Sequence, residues 1–473
     1  MSTLSLSFVY TAFLTSTITF SQISAAQTQS PQDSASETKR LGTVKVSADA
    51  EVANGPVEGY HAKNSATGTK TDTPLLDTPV SVQVISRSVM DDQQVLTIAD
   101  ATKNVSGVYI KHGPDGNTMD SFSIRGFELD HYGATYLDGA KDFSRAPKET
   151  AGLERIEILK GPAAIMYGRI EPGGMINRVS KRPQAESLTT LQQQIGSHNY
   201  FRTTLDSTGT LTSDGAWLYR VNIAGEDTDG FVDDTHNRRT YVAPQIEWLA
   251  NDSTSIRTGF EYQKNDRSWA LTYGTIGDAN GPVKIPRSTN FHDKDDKYKD
   301  DSLSWKLEWE HHFNDDWKLQ QRISYVDRNS VAKGSGLSEI LDTDGNYSRT
   351  YWGWKDEQAK TAATNIDLIG KFSTGAITHT LLIGGDYFDE DYDSGGWQFN
   401  GTELISNIYH PNNTDAPYDN DHVVLPFGFK NQHKGFYIQD QMAALDERLH
   451  IMIGARYDKA RATYLFADAP EIT

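Results

Sequence analysis

The second half of the chain consists of short segments in which apolar and polar residues alternate. From residue 183 onward, segments of about ten residues place Val, Ile, Leu, Trp or Tyr at alternate positions, with Gln, Asn, Arg, Glu or Asp between them. A period of two predicts β-strands that have one apolar and one polar face. We count about eleven such strands, the last of which runs up to Tyr457.

The connections between these strands alternate in length. Tight turns are predicted at residues 249–254, 313–316, 373–376 and 445–448, and long loops at residues 265–301, 330–357 and 389–432. Short turns at one end and long loops at the other are typical of an outer-membrane β-barrel, whose strands have a lipid-facing and a lumen-facing side. The alternative, a secreted β-sandwich or solenoid, would require a continuously apolar face for its core.

An outer-membrane barrel made from one bacterial chain has an even number of strands. It also has no free sheet edge, because hydrocarbon satisfies no backbone hydrogen bond. The odd strand count therefore predicts that residues 183–473 form the N-terminal half of a transmembrane barrel and lack the C-terminal strands that would close it.

The N-terminal part of the chain has two features. Residues 1–26 contain an apolar run that ends in small residues at positions 24–26, which predicts a secretory signal peptide. Residues 27–59 are rich in Ser, Ala, Asp and Glu, which predicts a flexible tail. Within this tail, residues 41–48 read "LGTVKVSA" and alternate as a strand does. A lone strand is not stable, so this segment requires a partner.

Residues 60–182 have a mixed pattern that predicts a small α/β unit. Residues 80–86 and 154–161 alternate as strands, whereas residues 88–105 have helical spacing with Ser88 as a candidate N-cap. This unit is therefore expected to fold differently from the strand-rich half that follows it.

Composition excludes several classes of protein. The apolar runs are all shorter than the roughly 20 residues that a membrane-spanning helix needs, so a helical membrane protein is excluded. The net charge of −19 argues against a nucleic-acid partner, which would favour a basic surface. With no cysteine, the chain has no disulfide, thiolate metal site or cysteine nucleophile.

Other candidate sites have simpler structural interpretations. His311 and His312 are adjacent on a predicted strand, so their side chains point to opposite faces and cannot share a metal ion. Residues 342–346, "DTDGN", lack the downstream Glu of a calcium loop and predict a turn. The aromatic stretches at residues 351–354 and 395–399 are interpreted as girdles at the membrane interface. We therefore predict no catalytic residue, no metal ligand and no resident cofactor.

Four stretches of the α/β unit resemble a known family. They are "SATGTKTDTPLLDTPVSVQVIS" from Ser65, "SFSIRGF" from Ser121, "YLDG" from Tyr136 and "LERIEILKGPAAIMYGRIEPGGMINRVSKRP" from Leu153. Together they closely resemble the plug domain of TonB-dependent siderophore receptors, especially those for ferric hydroxamates such as ferrichrome. The resemblance implies an α+β plug domain, residues 60–182, inside an antiparallel transmembrane β-barrel. In the full family this barrel has about 22 strands.

The resemblance gives the isolated strand at residues 41–48 a partner. Members of this family carry a TonB box before the plug, and it binds the protein TonB by β-augmentation. We therefore predict that TonB pairs with the backbone of this segment, at Leu41, Thr43, Val44, Lys45 and Val46.

The resemblance also implies further site residues. Arg125 and Lys160 are predicted to form an ionic lock with barrel carboxylates that lie largely in the missing half. Lys160 stands where the family usually has Arg. A guanidinium can bind a carboxylate through two parallel hydrogen bonds, whereas the ammonium of Lys acts as a point charge. Ligand contacts are predicted at the plug apices and in one long loop: Lys111, His112, His131, Tyr132, Phe143 and Tyr273.

The function implied by the resemblance is import of a ferric siderophore, of hydroxamate type, across the bacterial outer membrane with energy delivered by TonB. The expected partners are TonB with its inner-membrane energising complex, the ferric siderophore and outer-membrane lipid. Import of haem, cobalamin or another large ligand is an alternative, as is a non-functional receptor fragment. A passive porin, an adhesin or an outer-membrane enzyme is disfavoured, because the barrel is expected to hold a plug.

Overall fold

A computed structural model of the chain describes residues 51–110, 120–129, 135–142, 147–162, 164–269, 276–278, 280–340, 342–395, 397–412, 423–424 and 427–466. The predicted signal peptide and the predicted TonB box at residues 41–48 lie outside these residues. Within the described part, no helix is long and apolar enough to cross a membrane.

The described residues before position 183 form a small α/β unit, here called the plug. Its elements are β1 (Asn64–Ser65), β2 (Thr73–Pro74), the 3-10 helix Leu75–Asp77, β3 (Ser81–Ser86), α1 (Arg87–Asp92), α2 (Ile98–Thr102), β4 (Val108–Ile110), β5 (Phe122–Ile124), β6 (Phe127–Glu128), β7 (Thr135–Leu137), β8 (Ala140–Lys141), β9 (Leu153–Lys160), α3 (Ala164–Tyr167) and β10 (Gly174–Ser180). The main sheet of the plug has the order β3-β9-β10-β7-β8. Only the β10–β7 pair of that sheet is parallel.

The core of the plug forms where the two helices cover this sheet. Both β9 and β10 are buried along their whole length, although they alternate apolar residues with charged or polar ones such as Arg155, Glu157 and Arg178. Ile156 and Ile158 of β9 and Ile176 of β10 pack in one cluster with Ile98 of α2 and Ile124 of β5. The predicted strands at residues 80–86 and 154–161 therefore correspond to neighbouring strands of one sheet.

The helix predicted over residues 88–105 is two short helices. The hydroxyl of Ser86, not Ser88, accepts a hydrogen bond from the Val89 backbone N–H and caps α1. Gln94 then has φ +50°, which ends the helix. Thr97 and Asp100 form a capping box that starts α2. Two strong caps within one periodic stretch explain why the single predicted helix was wrong.

The second half of the chain forms one large antiparallel sheet, here called the barrel sheet. Its strands and the short strands in its connections are β11 (Leu188–Ile195), β12 (Phe201–Thr210), β13 (Trp217–Asp229), β14 (His236–Asn251), β15 (Thr254–Arg267), β16 (Gly277–Asp278), β17 (Gly281–Pro282), β18 (Lys297–His312), β19 (Trp317–Ile340), β20 (Asn346–Thr374), β21 (Ile377–Asp393), β22 (Trp397–Asn407), β23 (Val423–Val424), β24 (Phe427–Ala444) and β25 (Leu449–Phe466). Eleven strands follow one another along the main path of the described sheet, from β11 to β25. The predicted strand count is confirmed.

The barrel sheet has its polar side chains inside and its apolar side chains outside. In β13, Arg220, Asn222 and Glu226 are buried, whereas Trp217 and Ile223 are exposed on the other face. This is the reverse of a soluble sheet and is expected when the outer face contacts lipid.

The tight turns predicted between these strands are confirmed, but all three predicted long loops contain strand residues, and two of them are largely sheet. The stretch predicted as a loop at residues 330–357 continues β19 to Ile340 and begins β20 at Asn346. The stretch at residues 389–432 contains β22, and the last strand extends to Phe466, not Tyr457. Pairing between neighbouring backbones continues beyond the alternating segments, because each added pair satisfies ladder hydrogen bonds whatever its side chains.

Candidate functional site: the interface between plug and barrel

All six predicted ligand residues lie outside the described part of the chain, as do the five predicted TonB-binding residues. The described site therefore consists of the interface between the plug and the inner face of the barrel sheet, together with the hairpins at the long-loop end. The contacts there come from charged side chains of both partners.

The predicted lock residues lie side by side in the plug. Lys160 Nζ donates to Gln83 Oε1 at 2.8 Å and to Ser106 Oγ at 3.3 Å. Burial and the neighbouring Arg125 lower the pKa of Lys160. Arg125 is exposed with φ +52°, and its Nη1 is 3.1 Å from the position that a Cβ on Gly161 would take. Among the described residues, no carboxylate forms an ion pair with either cation, so their role as a lock stays a prediction.

A different plug residue, Glu149, makes the most complete ionic contact with the barrel sheet. Its carboxylate receives a two-point contact from Arg202 of β12, with Nη2 at 2.5 Å and Nη1 at 3.0 Å. Arg239 of β14 donates to it at 3.3 Å, and the backbone N–H groups of Thr150 and Ala151 donate at 2.9 Å each. Burial alone would raise the pKa of Glu149, but Arg202 and Arg239 outweigh burial and lower it to about 2. The carboxylate is therefore charged at neutral pH, and it joins the plug to two barrel strands.

The β7–β8 turn of the plug is held by a second set of charges. Asp138 accepts from Lys306 of β18 at 2.6 Å and from Ser180 Oγ at 2.7 Å. Burial raises the pKa of Asp138, but Lys306 and Arg257 lower it far more. Next to it, Arg178 pairs with Asp142 of the plug and lies 3.5 Å from Glu261 of β15. These contacts fix the plug hairpin against β15 and β18.

Glu308 of β18 binds three arginines that come from different elements. Arg182, directly after the plug, donates to it at 3.0 Å, Arg257 of β15 at 2.9 Å and Arg322 of β19 at 3.3 Å. One carboxylate thus connects the end of the plug to two neighbouring strands of the barrel sheet. Removing it would leave buried guanidinium groups with fewer partners.

The first segment of the plug is attached to β24. Lys70 Nζ donates to the Tyr437 hydroxyl at 2.8 Å, and Gln439 Nε2 donates to the Thr69 carbonyl at 3.0 Å. Gln441 Nε2 donates to Thr71 Oγ1 at 2.7 Å. The plug therefore contacts the barrel sheet at both ends of its chain.

At the long-loop end, buried aromatic and charged groups form a compact cluster. The rings of Trp269, Tyr298 and Trp354 meet edge to face, with centroids 5.5 to 6.0 Å apart. Beside them Arg328 is fully buried and donates to Glu357 at 2.7 Å. Since Trp354 and Tyr351 are each 1% exposed, the interpretation of residues 351–354 as an interface girdle is wrong. Their inward packing holds the extended hairpin of β19 and β20 together.

A girdle pair is instead found beside the tight turns. Trp217 and Trp248 stack with their centroids 5.5 Å apart, and both are partly exposed on the outer face. His311 and His312 have separate partners: His311 Nδ1 forms a hydrogen bond with the Thr254 hydroxyl, and His312 Nε2 forms one with the Glu310 carboxylate. The turn at residues 342–346 is confirmed, with Asp342 accepting from the Asp344 and Asn346 backbone N–H groups.

Comparison with known proteins identifies both parts of this interface. Residues 74–175 match the family model of the TonB-dependent receptor plug domain, and residues 244–469 match that of the TonB-dependent receptor-like β-barrel. The chain is 34% identical over 363 residues to the metal-pseudopaline receptor of Pseudomonas aeruginosa, covering 76% of this chain and 50% of that one. It is 29% identical to the ferrichrome outer membrane transporter and phage receptor of Escherichia coli, covering 87% of this chain and 59% of that one.

The fold is shared with solved receptor structures. The pyoverdine outer membrane receptor of Pseudomonas aeruginosa superposes with a TM-score of 0.78 at 21% identity, over 87% of this chain and 61% of that one. The chain spans about half to 60% of the length of the curated relatives it matches. On these matches, and on a plug held against the inner face of an eleven-stranded sheet, the chain belongs to the family of TonB-dependent receptors of the outer membrane.

Proposed function

We propose that the protein is an outer-membrane receptor that imports a ferric siderophore of hydroxamate type, with energy delivered by TonB. The iron arrives as cargo that is already chelated, so the protein needs no metal ligands or cofactor of its own. Its family consists of receptors and transporters, and we propose that this member catalyses no reaction.

The observation that carries the proposal is the plug held by buried ion pairs against the inner face of the barrel sheet. A passive porin leaves a water-filled lumen, whereas the large plugged barrels are transporters. Glu149, Asp138 and Lys70 each make a charged or hydrogen-bonded contact to the barrel sheet. Such a plug requires work to move, and this is the role proposed for TonB.

In the proposed mechanism, the siderophore binds at the long-loop end, against the plug apices and Tyr273. Apolar and aromatic groups there bury the ligand, and a few polar donors orient it. Binding alters the contacts of the plug and releases the TonB box into the periplasm, an order-to-disorder switch. TonB then adds a strand to residues 41–48, and the force it transmits from the inner membrane remodels the plug.

The substitution Val44→Pro tests the energised step in the receptor expressed in its own bacterium. Proline removes a backbone donor and bends the strand, so siderophore uptake is expected to fall to background while siderophore binding is unchanged. Uptake of a radioactive ferric hydroxamate and binding by tryptophan fluorescence quenching measure the two quantities separately. The nine tryptophans all lie at or after residue 217, near the proposed ligand site and the barrel wall.

The matched control is Val44→Ala, which shortens the side chain but keeps the backbone N–H. It is expected to retain most uptake, since β-augmentation depends on the backbone. Uptake that survives Val44→Pro would show that transport does not use strand pairing at this segment.

A second cargo is favoured by one observation. The relative with 34% identity is named as a metal-pseudopaline receptor. If the metal-pseudopaline complex quenches tryptophan fluorescence at concentrations where ferrichrome does not, this cargo replaces the hydroxamate. Quenching by haem alone would point instead to the haem alternative.

A further inference from the structure

A cavity between the plug and the barrel sheet carries an unusual excess of positive charge. The cavity is partly open to solvent and lies between the β7–β8 hairpin, the segment after α3, and strands β19, β20, β21, β24 and β25. Among the described residues, five lysines or arginines and one carboxylate line it: Lys70, Lys141, Arg169, Arg322 and Arg456, with Asp386. The chain as a whole has a net charge of −19, so this local balance is the opposite of the average.

Three of these cations already have acidic partners. Arg456 pairs with Asp386 and Asp458, each at 2.7 Å. Arg322 pairs with Glu308 at 3.3 Å and lies 3.7 Å from Asp367. Lys70 lies 3.8 Å from Asp386, a carboxylate that Arg456 also uses.

The other two cations, Lys141 and Arg169, form no ion pair with any described carboxylate. Lys141 lies in β8 with its ammonium 4.8 Å from the centre of the Phe388 ring, which attracts a cation but does not neutralise it. Arg169 follows α3 and is exposed at the cavity rim. Two plug cations thus face a partly enclosed space that already contains the buried Lys70.

We propose that this cavity is a binding site for an oxyanion, a carboxylate or phosphate group held by Lys141, Arg169 and Lys70. Lysine and arginine form strong charge-assisted hydrogen bonds to such groups, and their attraction is greater in a partly enclosed cavity than in open water. The rings of Tyr136 and Phe388, which also line the cavity, provide apolar surface for the organic part of a ligand.

A role for this cavity in transport rests on the proposed function. In an importer, a site between plug and barrel wall lies below the outer mouth, where an acidic group of the cargo would be held once the plug has moved. The binding of an oxyanion to the cavity does not itself depend on that function. The two sources, free phosphate and an acidic iron chelate, are distinguished by the probes used.

The test is isothermal titration calorimetry of the purified receptor in detergent at low ionic strength, with inorganic phosphate, citrate and ferric citrate as probes. We expect the double variant Lys141→Gln, Arg169→Gln to weaken binding by at least about tenfold, since each cation contributes a charge-assisted contact. Raising the salt concentration is expected to weaken binding to the unaltered protein and to have less effect on the variant.

The matched control removes the same charges elsewhere. Lys103 and Arg238 are exposed and pair only with surface acids, Asp100 and Asp227. Lys103→Gln, Arg238→Gln is expected to change binding by less than about twofold. Lys141→Arg keeps the charge and is expected to retain binding, which separates charge from misfolding.

Each outcome has a defined meaning. Citrate and ferric citrate binding that depends on Lys141 and Arg169, without phosphate binding, supports a site for an acidic cargo, and phosphate binding with the same dependence supports a general oxyanion site. No binding of any probe, or equal binding by both double variants, overturns the proposal. If no ferric hydroxamate quenches fluorescence while phosphate still binds the cavity, the proposed function fails and the oxyanion site does not.

Discussion

Glu149 shows how a single residue can join two parts of a receptor. Its carboxylate has no exposed surface and receives donors from two barrel arginines and two backbone N–H groups. The plug segment that carries it also bonds to Gln263 of β15, through the Glu149 N–H at 3.0 Å and the Pro147 carbonyl at 2.7 Å. Three strands of the barrel sheet, β12, β14 and β15, thus hold one short segment of the plug.

We expect Glu149→Ala to destabilise the plug by about 3–5 kcal/mol, because it leaves the buried Arg239 guanidinium without its carboxylate and Arg202 with only Glu226. The chain has no cysteine, so a fluorophore attached to a cysteine introduced at the exposed Leu76 would report plug unfolding in urea. Glu186→Ala, at an exposed acid, is expected to change stability by less than about 0.5 kcal/mol. Equal urea midpoints for the two variants would contradict a structural role for the Glu149 contacts.

Asp296, in the long connection before β18, makes one hairpin contact sensitive to pH. Its carboxylate accepts from the Ser335 N–H at 2.7 Å and from the Asp293 N–H at 3.1 Å, near His292 at 3.9 Å. Burial, together with the Asp293 carboxylate, raises the pKa of Asp296 to about 7. Two cations of the neighbouring strands also act here: Arg349 of β20 donates to Asp293, and Lys333 of β19 lowers the pKa of Asp296, but less than burial raises it.

The sign of the pH effect follows from that raised pKa. When the connection opens, Asp296 returns to its ordinary pKa of 3.8, so between pH 4 and 7 the closed form holds the extra proton. Closure is therefore most stable at low pH and weakens as the pH rises through 7. Hydrogen exchange of residues 290–296, corrected for intrinsic rates, is expected to be faster at pH 8 than at pH 5. Asp296→Asn should remove most of this difference, and an unchanged difference in that variant would exclude Asp296 as its origin.

Sequence could not identify these residues. Glu149 lies in a polar stretch without periodicity, and nothing in "PKET" indicates that two arginines of later strands converge on it. Arg125 and Lys160 were predicted from family motifs, which carry information about roles but not about where the partner carboxylates lie. A buried ion pair between distant segments leaves no local pattern, because each partner alone looks like an ordinary surface charge.

At the scale of elements, the β9–β10 hairpin depends on a glycine that has no room for a side chain. Gly174 has φ +128°, and a Cβ there would overlap the carbonyl of Leu159 on the paired strand. Gly139, in the β7–β8 turn, has φ +80° but open space around it. A substitution at Gly139 therefore tests backbone strain alone, whereas a substitution at Gly174 tests backbone strain together with steric overlap.

We expect Gly139→Ala to cost about 1–2 kcal/mol, the penalty for a left-handed residue, and Gly174→Ala to cost clearly more. Gly174→Ala has to displace the central pair of the plug sheet as well. Urea unfolding with the same plug fluorophore measures both variants. If the two substitutions lower the free energy of unfolding equally, the close approach of β9 and β10 does not limit which residue fits at position 174.

The sequence predicted elements well where one pattern dominated. Alternation located β3 and β9 and the eleven barrel strands, because a strand with two unlike faces has a strict period of two. It failed where local caps divided the predicted helix at Thr97, and where β19 and β20 continue beyond their alternating segments. Both failures come from hydrogen bonds of the backbone, which side-chain periodicity does not record.

At the scale of the whole molecule, the outer face of the barrel sheet determines where the protein resides. Ile223, in the middle of β13, is exposed on that face, between buried Asn222 and Ala224. A charge at the middle of the bilayer is costly, whereas a charge near the membrane interface costs little. The tight turn at residues 211–216 provides the matched position at the end of the strands, Leu211.

We expect Ile223→Arg to destabilise the receptor in lipid vesicles by about 2–4 kcal/mol and Leu211→Arg by only about 0–1 kcal/mol. Urea unfolding in vesicles of fixed composition measures both. In detergent micelles, where water reaches the charge more easily, the difference is expected to shrink. Equal effects in vesicles would mean that the face around Ile223 does not contact the hydrocarbon region.

The attachment of the first plug segment to β24 has a consequence for assembly. Lys70 and Tyr437 are 367 residues apart in the chain, and Gln441 and Thr71 are 370 apart. Because synthesis proceeds from the N-terminus, residues 69–73 emerge long before the strand that holds them exists. Contacts of such long range form late and slow folding. The part of the plug nearest the proposed TonB box is therefore secured late, and the nascent chain has to be kept from aggregating until β24 has joined the sheet.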